Sequence, residues 1–187
     1  MLRARAVCFV LILAAWPLVA QPFSAELDPR RTRIDWTLGA TFHTVHGTFR
    51  LKRGALVFDP SSGRASGQIV VDVSSGESGN ETRDRKMHGE VLESGRYPEA
   101  VFSADRVEGQ LASSGRSHLE FHGTFRIDGA SHDIVLPADI DRNGDEAAAT
   151  VHLTIPYVVW GMKNPGNLLL KVSDHVDVDV STKVHLR

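Results

Sequence analysis

From Ile34 the apolar residues fall on even positions, Ile34, Trp36, Leu38, Ala40 and Phe42, with Asp35, Thr37 and Thr41 between them. This two-residue period predicts a strand with one dry face. Val45, Gly47, Phe49 and Leu51 carry the pattern on odd positions. A strand exchanges faces only through a turn or an extra residue, so a turn or bulge is expected between Phe42 and Val45. Shorter extended runs are predicted at 55–58, at 68–73, which includes Val71, and at 100–107, which includes Phe102.

The clearest alternation comes later. Leu119, Phe121, Gly123, Phe125 and Ile127 share one face, while His118, Glu120, His122, Thr124 and Arg126 share the other. Asp128-Gly129 predicts a tight hairpin turn. Ile134, Leu136, Ala138 and Ile140 follow, then Asn143-Gly144, then Val151, Leu153, Ile155, Tyr157 and Val159. Val176, Val178 and Val180, with Asp177 and Asp179 between them, predict a last strand. About eight strands in a meander indicate an all-β, antiparallel barrel or sandwich.

One segment interrupts the strands. Residues 80–92 are predicted to be a short helical insertion, with Asn80 as N-cap, Glu81 in the first turn, Met87, Val91 and Leu92 on one apolar side, and Gly89 weakening the run. Such an insertion can lie over an end of the barrel. Strands around an apolar interior with a cover at the mouth point to holding something oily rather than to breaking bonds.

The N-terminus sets the compartment. Arg3 and Arg5 precede the apolar stretch 6–16, and Pro17-Leu18-Val19-Ala20 offers a small residue before Gln21, the pattern of a secretory signal peptide over residues 1–20. A cut after Ala25 is the alternative. The expected product is a periplasmic or secreted domain over 28–187, with no stable membrane span once the leader is gone. Cys8 leaves with the leader, so stability must come from a packed core rather than a disulfide. Taking Arg3 and Arg5 from the 21 basic residues leaves 19 against 23 acidic ones, a formal charge of −4 that argues against a nucleic-acid partner.

Candidate chemistry is sparse. His43-x-x-His46 puts its two imidazoles on opposite faces of a strand unless the parity switch lies between them. His118 and His122 are about 13 Å apart at four strand rises, too far to share an ion. Asp139, Asp141, Asn143 and Gly144 match only the first half of a calcium loop, with Thr150 where the bidentate glutamate belongs. No G-x-S-x-G elbow and no H-E-x-x-H pair occurs. No catalytic residue, metal ligand or cofactor is therefore assigned.

Four stretches carry a family resemblance: Arg33-Ile34-Asp35-Trp36; His46-Gly47-Thr48-Phe49 with 54–60; Gly79-Asn80 with Arg83-Asp84; and Arg96-Tyr97-Pro98-Glu99-Ala100-Val101-Phe102. Across nearly all of the mature chain the sequence resembles the YceI-like family of exported polyisoprenoid-binding proteins. The resemblance implies a lipocalin-like, eight-stranded antiparallel barrel that holds a long isoprenoid or another lipid in its interior, without catalysis. The stretch 157–167 departs from the family's usual pattern, which leaves the head group of the ligand open.

The expected lining is Trp36, Leu38, Phe42, Phe49, Val71, Phe102, Leu119, Phe121, Phe125, Leu136, Leu153, Ile155 and Tyr157, with Asn80, Arg83, Asp84 and His88 at a polar rim. A homodimer is compatible with this reading. Two alternatives stay open: a structural or stress-protective envelope protein with a filled interior, and a secreted hydrolase. Periodicity does not decide whether the interior is hollow, because a barrel of eight strands can just hold either side chains or one small ligand.

Overall fold

The computed structural model describes residues 22–168 and 170–187. The leader and its cut after Ala20 lie outside them. Eight strands close a ring: β2 (Thr32–Gly39), β3 (Thr44–Asp59), β4 (Arg64–Glu77), β5 (Glu99–Gly109), β6 (Gly115–Ile127), β7 (Ala130–Asn143), β8 (Glu146–Ile155) and β9 (Val176–His185). Each pairs antiparallel with the next, and β9 returns to β2 with Val180 opposite Ile34 and Val178 opposite Trp36. The closed ring leaves no wall strand with an unpaired edge along its whole length.

A ninth strand, β1 (Phe23–Leu27), precedes residue 28, where the sequence pattern begins the domain. It continues the path of β2 along β3: Phe23 lies opposite Phe58 and Leu27 opposite Gly54, while Ile34 lies opposite Phe49 and Gly39 opposite Thr44. Between the two halves sits a short 3-10 turn, Pro29–Arg31, where the Asp28 carboxylate accepts from the Arg30 backbone N–H at 2.9 Å. Five residues carry too little alternation to announce a strand by themselves. Ala25, the alternative cut site, sits inside β1, opposite Leu56 and bridged to Leu186.

The turns follow their residues. The parity switch expected between Phe42 and Val45 comes earlier, in the hairpin loop of 40–43, closed by the Ala40 backbone N–H donating to the His43 carbonyl at 3.0 Å. Asp128 and Gly129 both adopt positive φ, 50° and 75°, so a two-residue turn joins β6 to β7. Gly144 does the same for the β7–β8 turn. Tyr157 and Val159 do not extend β8 as their alternation predicts. Pro156 lacks an N–H, and the chain turns there, with the Trp160 N–H donating to the Pro156 carbonyl at 3.1 Å.

The interior is divided by height along the barrel axis. One end is a solid floor of Leu51, Leu56, Phe58, Phe102, Val107, Leu119 and Phe121 with smaller neighbours, and Leu119 has no exposed surface. Phe58 and Phe121 meet edge to face there, 5.2 Å between centroids at 85°. At the other end a smaller cluster of Val91, Ile155, Tyr157 and Met162 joins the insertion to the loop after β8. Between the two clusters the barrel is hollow.

Candidate functional site

The cover over the hollow end is built locally. Asn80 accepts from the Arg83 backbone N–H at 3.0 Å and starts α1 (Glu81–Lys86). Past Lys86 the chain widens around Gly89 into a turn over Met87–Val91, closed by the Leu92 N–H donating to the Met87 carbonyl at 2.9 Å. The wider winding leaves one extra residue and turns Val91 inward.

Polar bonds fix this cover to the barrel. Asp84 accepts from the Ser78 backbone N–H and hydroxyl. Arg83 donates Nε to the same hydroxyl oxygen at 2.7 Å and Nη2 to the Ser78 carbonyl at 2.9 Å. His88 donates Nε2–H to the Gly76 carbonyl at 2.8 Å, and its Nδ1 shares a hydrogen bond with the buried Ser94 hydroxyl at 3.0 Å. Two lysines tie the cover to the loop after β8: Lys86 Nζ donates to the Pro165 carbonyl at 2.8 Å, and Lys163 Nζ pairs with Glu90 at 2.5 Å. The Lys163 ammonium holds the Glu90 carboxyl below its usual range.

Beneath the cover lies a cavity of about 470 Å³. Its walls come from β2 (Ile34, Trp36, Leu38), β3 (Val45, Phe49), β4 (Val71, Val73), β5 (Ala100), β6 (Phe125, Ile127), β8 (Ile155) and β9 (Val176, Val178). Met87, Val91, Leu92, Tyr157 and Met162 roof it. Burial pushes the Tyr157 phenol up to about 12, so it stays protonated and donates to the Ser173 carbonyl at 2.6 Å. Asn80, Thr82, Arg83 and Lys86 of the insertion, Ala40 and His43 of the β2–β3 loop, and Pro165, Asn167, Leu170 and Val172 complete the boundary.

The wall itself has a gap. β7 and β8 pair only from Ala138 opposite Val151 down to Asn143 opposite Glu146, so their upper halves separate beside Pro137. Trp160 stands there, stacked on His132 at 4.1 Å with 6° between planes and 6.0 Å from Phe125.

Seven of the thirteen expected lining residues face the cavity: Trp36, Leu38, Phe49, Val71, Phe125, Ile155 and Tyr157. The others lie elsewhere. Phe42 is 82% exposed on the β2–β3 loop, because the parity switch comes before it and not after it. Phe102, Leu119 and Phe121 point inward but at floor height, where they pack on one another and on Phe58. Leu136 is half-buried against the floor, and Leu153 is half-buried beside the roof cluster.

Of the four rim candidates, Asn80 and Arg83 border the cavity, whereas Asp84 and His88 sit on the outer side of the insertion with Glu81, Arg85 and Ser94. Sequence reasoning missed Ile34, Val45, Val73, Val176 and Val178, all visible in the alternation. It also missed Lys86 and the 162–172 loop, which has no period to read.

The remaining clusters have ordinary explanations. Glu108, Glu120 and His122 bring ligand-type atoms within 4.8 Å of one another on the outer wall. The Arg106 guanidinium bonds both Glu108 and the His122 Nδ1, which makes the group an ion-pair net. His118 pairs with Asp139 at 2.8 Å across β6 and β7. The Ser94–His88 pair resembles part of a nucleophilic triad, but its third member is a backbone carbonyl, and Ser94 is only 7% exposed. Among the described residues no helix is long and apolar enough to cross a membrane.

Comparison with known proteins returns one family. The YceI-like domain matches residues 26–184. A search of curated proteins finds no match. Among solved structures, a polyisoprenoid binding domain from Saccharophagus degradans is 17% identical, covering 87% of this chain and 98% of that one, with a TM-score of 0.67. BcnA from Burkholderia cenocepacia is 19% identical over 84% of this chain and 98% of its own, with a TM-score of 0.66. The Campylobacter jejuni YCEI protein is 20% identical over 78% and 86%, with a TM-score of 0.63. These likenesses show the barrel.

Proposed function

We propose, from the premise that the chain belongs to the YceI-like family, that it is an exported binding and carrier protein for an isoprenoid or similar lipid, whose tail lies in the cavity between floor and cover. The observation that carries this reading is the half-empty barrel: about 470 Å³ walled by aliphatic and aromatic side chains. The Saccharophagus degradans relative, a polyisoprenoid binding domain by name, supports the same ligand class. The leader pattern supports export. A cut after Ala25 would strip Phe23, Ser24 and Ala25 from β1, which supports a cut after Ala20.

The energetics fit a tail and exclude much less. At roughly 30 Å³ per group, the share of one water in the liquid, the cavity holds about fifteen carbon-sized groups. Each methylene moved out of water contributes about 0.8 kcal/mol, so a full cavity supplies ~12 kcal/mol before the association cost of about 4–15 kcal/mol. A tail of a few carbons cannot offset that cost. A chain much longer than fifteen carbons must extend past the mouth.

Binding can be read from inside the cavity, because Trp36 is in its wall and only 4% exposed. Titrating delipidated protein with an isoprenoid quinone is expected to quench tryptophan emission saturably, at one quinone per chain. Linear, non-saturating quenching equal to that of free tryptophan would overturn the carrier reading.

A further inference from the structure

We infer that the preferred ligand is an amphiphile with an anionic phosphate-type head and a tail of about fifteen carbons, the head seated at the mouth by Arg83 and Lys86; this deepens the carrier reading and rests on it. The ionisable side chains that border the cavity are His43, Arg83, Lys86 and the protonated Tyr157. No Asp or Glu borders it among the described residues. The mouth is therefore one-signed in a chain whose total charge is negative.

Arg83 and Lys86 are three apart on α1, so they share a face, and both are half-buried. The acids of the insertion turn away. Glu81 and Asp84 lie on the outer side with Arg85 and His88, and Glu90 is taken by Lys163. Among the described residues neither Arg83 nor Lys86 forms an ion pair with a carboxylate. Their side-chain hydrogen-bond partners are neutral: the Ser78 hydroxyl and carbonyl for Arg83, and the Pro165 carbonyl for Lys86.

No carboxylate bonds either cation directly: Asp84 reaches Arg83 only through the Ser78 hydroxyl, and Glu90, which interacts with Lys86 across space, is bonded to Lys163, so an incoming anion would supply the direct counter-charge. The geometry is also set in advance. Ser78, held by Asp84, fixes Arg83 through Nε and Nη2 and leaves Nη1 to donate; Lys86 keeps two of its three N–H donors after bonding Pro165. Charge-assisted bonds to a phosphate suit both groups. Tail burial supplies affinity, and the two cations select the head.

The test compares farnesyl diphosphate with farnesol by calorimetry on the delipidated mature protein, so that tail length is constant and only the head differs. The diphosphate should bind on the order of tenfold to a hundredfold tighter than the alcohol, a preference that falls as salt rises. Arg83→Gln and Lys86→Gln should each shrink that ratio about tenfold, while Arg85→Gln on the outer side should leave it unchanged. Circular dichroism checks that each variant is folded, and Lys86→Gln retains a donor for the Pro165 carbonyl.

Equal affinities for the two ligands in the wild-type protein, or a ratio that neither substitution moves, would overturn the head-group inference and leave the carrier reading standing. Binding of inorganic diphosphate as tight as that of farnesyl diphosphate would overturn it too, since the head would then owe nothing to the cavity. Absence of binding by both farnesyl ligands would sink the carrier reading itself.

Discussion

Val178→Trp is expected to abolish lipid binding in a barrel that still folds. Val178 is half-buried in the cavity wall on β9, opposite Trp36 on one side and Leu153 on the other. An indole in its place adds about seven heavy atoms to a space for about fifteen carbon-sized groups. At about 0.8 kcal/mol per displaced methylene the loss is ~5 kcal/mol, more than a thousandfold in affinity. Stability should not fall, because the new side chain enters an existing void and gains contacts there. Calorimetry with the delipidated protein reads the affinity, and thermal unfolding reads the control. Wild-type affinity in a folded Val178→Trp protein would mean that the ligand lies elsewhere.

Gly47→Ala should be the most damaging single-methyl change in the upper barrel. Gly47 stands opposite Trp36 in the β2–β3 ladder, and a Cβ there would run into the Trp36 ring and the Glu77 backbone carbonyl. The carbonyl cannot swing aside as a side-chain tip can. The indole would have to move toward the cavity that it walls. Overpacking of this kind costs about 3 kcal/mol, which for a domain of this size lowers the unfolding midpoint by roughly 10 °C. Differential scanning calorimetry measures it, and an unchanged midpoint would contradict the packing of Trp36 on Gly47.

The two-residue period revealed which face each strand buries but not how far along the barrel axis each side chain sits. Phe121 and Phe125 share a face of β6, yet four strand rises separate them by about 13 Å. Phe121 therefore meets Phe58 in the floor, and Phe125 borders the cavity. Depth depends on strand tilt and on which aromatic comes from across the barrel, and neither is written in one strand's alternation. Phe42 failed for a different reason: continuing a period through a loop assigns a face where there is no strand.

More of the insertion was legible than its rim assignment used. Arg83 lies four residues before Met87, and Met87 lies four before Val91, so helical spacing already places Arg83 on the apolar, inward side. Asp84 and His88, also four apart, fall on the neighbouring outer side, as the structure shows. The loop of 162–172 carries no such signal. Its place over the mouth depends on tertiary bonds such as the Lys86 ammonium to the Pro165 carbonyl at 2.8 Å and the Thr41 backbone N–H to the Lys171 carbonyl at 3.0 Å. Trp160 likewise found its site only because β7 and β8 part above Ala138.

Whether the barrel carries a lipid is most directly answered by weighing the protein as its own host makes it. Native mass spectrometry of gently purified material is expected to show the mature chain plus one bound molecule, which organic extraction removes and identifies as an amphiphile with an isoprenoid or similar tail. A bare chain mass under conditions that keep the barrel folded, together with an extract free of such lipids, would contradict the account.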